Sequence, residues 1–131
     1  MGTPCSVASV AIDGSVHIIY GHWDGYPSGV GKMLVQHYNT QEMVDRLLSL
    51  GNFSSLDASI DCPDGHSFDT PVDGYTTFYG RDRGETGQQA DEFSTYKQAV
   101  DRCGQGHDYF FDGTQWHYND KVLTLVLLEK G

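Results

Sequence analysis

Residues 6–23 read S-V-A-S-V-A-I-D-G-S-V-H-I-I-Y-G-H-W. Both halves are β-rich, and they meet at Asp13-Gly14. Two such runs joined by Asp-Gly are the strongest short-range hairpin signal, because glycine supplies the positive φ that a tight turn needs. The first run alternates, with Val7, Ala8, Val10 and Ile12 set among Ser6, Ser9 and Ala11. In the second, Val16, Ile18, Tyr20 and His22 share one face, and His17, Ile19, Gly21 and Trp23 share the other.

Outward from this hairpin, the chain enters H-W-D-G-Y-P-S-G-V-G-K at residues 22–32. A plain connection uses Gly, Pro and Ser for backbone reasons. It has no need of a Trp and a Tyr, whose large apolar area must be buried or offered to a partner. Ser28 is a candidate N-cap, with Val30, Met33, Leu34 and His37 following at helical spacing as far as Tyr38. Asn39 and Glu42 read as a capping box for a second helix. Its apolar face is Met43, Val44, Leu47, Leu48 and Leu50, and Gly51 is its stop. Two consecutive helices therefore lie on the hairpin.

Residues 52–74 contain Pro63, Pro71, two Asp-Gly breaks and many acids, which predicts a long irregular excursion. Residues 75–80, Y-T-T-F-Y-G, read as a strand. A third helix is expected within 92–103, with Phe93, Tyr96 and Val100 on one side. A second Asp-Gly hairpin is expected over 109–118. Residues 122–128, V-L-T-L-V-L-L, are apolar on both faces, as in a central strand or an edge covered by another chain. The whole predicts one α+β domain over 1–131. Its antiparallel sheet has five or six strands, with two consecutive helices and a possible third on one face. Helices on a single face would leave one side of the last strand bare, to be covered by a second copy, which predicts a homodimer, or else by Phe53, Leu56, Ile60 and Phe68 of the excursion in a monomer.

At 131 residues the chain is long enough to bury a core without staples. It has no apolar run of ~18 residues, so no membrane span is expected. Residues 1–5 show neither a basic nor an apolar leader region, so no signal peptide is expected. Cys5, Cys62 and Cys103 are odd in number and widely spaced, which suits reduced thiols better than a disulfide framework. Eight basic against eighteen acidic residues give a net charge of −10. Such a chain has no broad basic face for direct nucleic-acid binding. The acid either keeps it soluble or steers it to a positively charged partner.

Few motifs carry chemistry. A P-loop is excluded, because the interval from Gly25 to Gly31-Lys32 is one residue too long and Met33 stands where Ser or Thr must meet magnesium. A weaker anion site remains, formed by the N–H groups of Ser28, Gly29, Val30 and Gly31 beside Lys32. Alternatively, the glycines only allow close packing. Six histidines occur, but no HExxH and no paired Cys/His spacing, so no metal and no cofactor is expected. His22 with Asp24 can be written as an acid–base pair. A nucleotide pocket would need aromatics that stack and arginines that hold phosphate. Trp23, Tyr26, Tyr79, Arg81 and Arg83 supply those types, unless the arginines simply pair with Asp82 and Glu85.

The opening Met1-Gly2-Thr3, the segment 19–31 around HWDGYPSGVG with Leu34 and His37-Tyr38, and the segment 79–85, YGRDRGE, resemble a group of small phage and prophage accessory proteins. The resemblance implies no catalytic residues. It implies a protein made inside a bacterium, in the host cytoplasm, and by analogy an inhibitor of host defence. The leading expectation is thus a non-enzymatic binding protein that docks on a host defence protein. The alternatives are a nucleotide sponge at residues 23–32 and a small hydrolase using His22 and Asp24. The candidate binding residues are His22, Trp23, Asp24, Tyr26, Ser28, Gly29, Lys32, Tyr79, Arg81 and Arg83.

Overall fold

The computed structural model describes residues 2–123. β1 (Cys5–Val10) and β2 (Val16–Gly21) form the expected antiparallel hairpin, with Val7 opposite Ile19 and Ala8 opposite Ile18. The turn is one residue longer than Asp-Gly alone. The Gly14 N–H donates to Ala11 O, and within this turn only Gly14 has a positive φ, which excludes the two-residue primed turn. Asp13 stabilises this turn by accepting from both the N–H and the hydroxyl of Ser15.

The sheet is larger and more mixed than expected. Around the hairpin lie β3 (Phe53–Ser55), β4 (Thr77–Phe78), β5 (Asp91–Phe93), β6 (Asp108–Phe111), β7 (Trp116–Tyr118) and β8 (Lys121–Val122). The order is β4-β3-β2-β1-β6-β7-β8, with β5 also pairing with β2. Most pairings are antiparallel, but β6 runs parallel to β1 and β3 parallel to β2. These extra strands are only two to four residues long. That is too short for a period-2 pattern to show in the sequence.

The helices are α1 (Lys32–His37), α2 (Gln41–Ser49), α3 (Tyr79–Arg83) and α4 (Tyr96–Cys103). They do not share one face. α1 and α2 cover Cys5, Val7 and Ile19, together with Tyr109, Phe111 and Trp116. α4 covers the opposite side, where Ala99 packs with Ala8, Val16 and Ile18. α4 is the crossover between β5 and β6, which run parallel to each other with β2 and β1 between them. A crossover helix must lie against the sheet, and here α1 and α2 already occupy the other face. The expected homodimer rests on one bare sheet face, and here helices cover both. Most of residues 122–128 lie outside the described residues. Val122 is in the exposed edge strand β8, and Leu123 is buried.

Several local expectations are corrected. Ser28 is not an N-cap; the chain enters α1 through a single wide turn, Pro27–Gly31, with Tyr26 at its start and Pro27 in the first helical position. Thr40, not Asn39, caps α2 by accepting from the Met43 N–H. Residues 75–80 give only two residues of strand, and Tyr79 begins a helix. The third helix is shorter than 92–103, because 91–93 is strand β5. The two-residue primed turn occurs elsewhere, at Asn119 and Asp120 between β7 and β8, with φ of 47° and 69°.

Among the described residues no helix is long and apolar enough to cross a membrane.

Candidate functional site

β2 ends at Gly21, packed so closely on the Phe53 ring and the Cys5 sulfur that a Cβ there would collide. The chain then forms a strap, residues 22–31, whose backbone is tied down at nearly every step. The N–H groups of His22 and Trp23 donate to Phe53 O and Ser54 O at 3.2 and 3.0 Å. The Gly25 N–H donates to Thr3 O at 2.8 Å, and the buried Tyr109 hydroxyl donates to Gly25 O at 2.7 Å. The Gly29 and Val30 N–H groups return to Tyr26 O and Asp24 O. Asp24 takes a left-handed φ of 58°, which an Asp tolerates better than most residues. A Cβ at Gly25 would meet the Thr3 and Pro4 backbone, and one at Gly29 the Asp24 carbonyl. Both glycines are therefore explained by close packing.

Pro27 and Val30 of the strap are buried, and the side chains of Trp23, Asp24, Tyr26 and Ser28 face out. Trp23 is 42 % exposed and Tyr26 37 %. The His22 ring meets the Trp23 ring edge-on at 4.9 Å, and its Nδ1 lies 2.8 Å from the Tyr20 hydroxyl. The Tyr26 hydroxyl donates to Asp24 Oδ1 at 3.0 Å, and that hydrogen bond raises the Tyr26 phenol above its ordinary pKa. His22 and Asp24 thus have different partners, Tyr20 and Tyr26. Asp24, Ser28, Gly29 and Lys32 come together with Met33, Gln36 and Leu56 around a shallow hollow of about 300 Å³. The weak anion site loses most of its donors. Gly29 and Val30 are spent inside the strap, and the Gly31 N–H faces the Tyr109 hydroxyl.

Tyr79, Arg81 and Arg83 belong to a different cluster. The Arg81 guanidinium donates to the carbonyls of Ile60, Asp61 and Thr76 and to both oxygens of Asp82. Arg83 pairs with Glu85 at 2.7 Å and lies over the Phe68 and Tyr79 rings. Asp82 is the hub, with a side chain only 1 % exposed; it also accepts from the Phe78 N–H at 2.7 Å. Burial pushes its carboxyl up, but the Arg81 guanidinium, the Phe78 N–H and nearby His66 outweigh burial and hold it below the usual carboxylate range. His66 is fully buried and accepts from the Val72 N–H at its Nδ1. Its other ring nitrogen therefore carries a proton, aimed at Thr76 O at 3.2 Å and Asp82 at 3.5 Å. Phe53 and Ile60 of the excursion join the main core. Trp116 is core too, donating its indole N–H to Tyr38 O.

The part of His66 in this hub gave no signal in the sequence, since it lies sixteen residues from Asp82 in an irregular stretch. Among the described residues, no group of three or more His, Cys, Asp or Glu side chains is placed to hold a metal ion. No family model matches the chain, and neither a curated protein nor a solved structure matches it.

Proposed function

We propose that this chain is a non-enzymatic binding protein that inhibits a bacterial defence component by docking the strap, residues 22–31, on it. The observation that carries the reading is Trp23 and Tyr26 held outward on a backbone already fixed by buried hydrogen bonds. Two rigid aromatics that need no ordering on association are the anchors that dominate protein–protein affinity. A wide single-turn helix of the kind beside them is common at functional sites. The acids of the excursion add a second element. Asp64, Asp69 and Asp73 are exposed, and with the net charge of −10 they favour a basic partner surface. The phage setting, the host cytoplasm and the defence target rest on the resemblance of the segments 19–31 and 79–85.

The nucleotide alternative gains no support from this geometry, because Arg81 and Arg83 are engaged away from the strap and the strap's N–H groups turn inward. The hydrolase alternative lacks a His22–Asp24 contact.

The test is a plating assay in a bacterium whose defence restricts a phage. Expression of the protein is expected to restore plaques, and Trp23→Ser with Tyr26→Ser is expected to abolish the rescue while keeping the wild-type melting curve. Equal rescue by the double variant would overturn the assignment to the strap. No rescue by wild type across a panel of defence systems would overturn the defence reading.

A further inference from the structure

At the opposite end of β2 from the strap, roughly 20 Å away along the strand, lies a second surface. The hairpin tip, the later turns of α2 and the start of β5 enclose a groove of about 690 Å³. Its floor is apolar, formed by buried Leu48 and half-buried Val10 and Ala90. Its edges carry the exposed acids Asp13, Asp45 and Glu92, and among the described residues no lysine or arginine lines it. Ile12 stands at the tip fully exposed. Turn positions favour Gly, Asn, Asp and Ser, so local geometry gives no reason for a branched apolar residue there.

We infer that this groove docks a basic segment of another protein, one that sets an apolar side chain on Val10, Leu48 and Ile12 and places lysine or arginine beside Asp13, Asp45 and Glu92. Charge complementarity selects that occupant. A second copy of this chain would bring its own charge of −10 against the same acids. Nucleic acid and anionic membranes meet the same repulsion. The edge acids keep capacity for such a partner. Among the described residues Asp13 accepts from the Ser15 N–H and hydroxyl, Asp45 accepts from Gln41 at 2.7 Å, and Glu92 is paired with half-exposed His17 at 3.2 Å. The groove shares no residue with the strap, so the inference stands or falls separately from the strap reading.

The test is an amide-shift titration of the isotope-labelled full chain with three synthetic peptides of equal length: alternating lysine and leucine, lysine alone, and alternating glutamate and leucine. The lysine–leucine peptide is expected to move amides in residues 10–13, 45–49 and 89–92. It should bind about tenfold more tightly than oligolysine, and the glutamate peptide should not bind. Ile12→Ser and Glu92→Lys, both at exposed positions, are each expected to weaken it about tenfold, while Trp23→Ser leaves it unchanged. Shifts spread over the acids of 57–73, equal affinity for oligolysine, indifference to Ile12→Ser, or no binding of the lysine–leucine peptide would each overturn the inference.

Discussion

The strap at 22–31 and the segment 52–83, which is the excursion with the short strand and helix that follow it, share aromatics, aspartate, glycines and a histidine. They fold in opposite senses. In the strap the backbone faces inward, bonded to Thr3, Phe53, Ser54 and Tyr109, and the two aromatic side chains Trp23 and Tyr26 remain at the surface while Pro27 and Val30 are buried. In the segment 52–83 the acids Asp64, Asp69 and Asp73 stay exposed, but the His66 and Asp82 side chains turn inward. Arg81, Asp82 and His66 there supply the hydrogen bonds that a chain with little regular structure does not make for itself. A polar, aromatic loop is thus no indicator of function by its composition. What separates display from scaffolding is whether backbone or side chain satisfies the buried hydrogen bonds.

The largest effect is expected at Asp82, the hub that ties the excursion to α3. Asp82→Ala strands the Arg81 charge, the Phe78 N–H and the His66 ring together. Breaking a buried ion pair in this way costs about 3–5 kcal/mol, read as a lowered urea midpoint. The same carboxyl sets a pH signature. Because its pKa is lowered on folding, its stabilisation is full above the unfolded value of about 3.9 and is lost as pH falls through the folded value. Asp82→Asn is expected to flatten that acid-side loss. A loss of stability on acidification as steep as in wild type would show that Asp82 is not the hub.

A smaller loss, about 1–3 kcal/mol, is expected from Gly29→Ala, because the new Cβ meets the fixed Asp24 carbonyl rather than a flexible side chain. A neutral result would mean the strap backbone yields, and the contrast with the excursion would weaken. Trp23→Ser with Tyr26→Ser sharpens the contrast from the other side. Side chains that face solvent should change stability by no more than about 0.5 kcal/mol each, measured by the same denaturation. A loss of several kcal/mol would make them packing residues. The smallest effect is spectroscopic. Asp24→Asn removes the acceptor charge beside Tyr26, so its phenol should titrate at lower pH than in wild type, nearer the ordinary value of about 10.

The sequence made the hairpin legible, because its turn and its two runs agree over eighteen consecutive residues. α2 was legible for the same reason, through Val44, Leu47, Leu48 and Gly51. The placement of α4 was not. Its side of the sheet is decided by β5, three residues long, pairing with β2 from a distance in the chain. Trp23 and Tyr26 stood out as residues that a connection does not require, but whether Trp23 or Trp116 lay in the core depends on long-range packing. Arg81 and Arg83 show the same limit. Their residue types suit phosphate, and their neighbours in space, Ile60, Thr76, Asp82, Glu85 and Phe68, take up their charge. The Ile12 groove left a trace only in one branched residue beside Asp13-Gly14.

The central claim is that the strap is a fixed backbone presenting Trp23 and Tyr26 at the surface. Native-state amide hydrogen exchange at Gly25, Gly29 and Val30 tests it most directly. Their N–H groups bond to Thr3, Tyr26 and Asp24. If the strap is preorganised, they exchange as slowly as core amides of β1, with an opening free energy close to that of global unfolding. Exchange at rates typical of a mobile loop, while β1 stays protected, would contradict the claim.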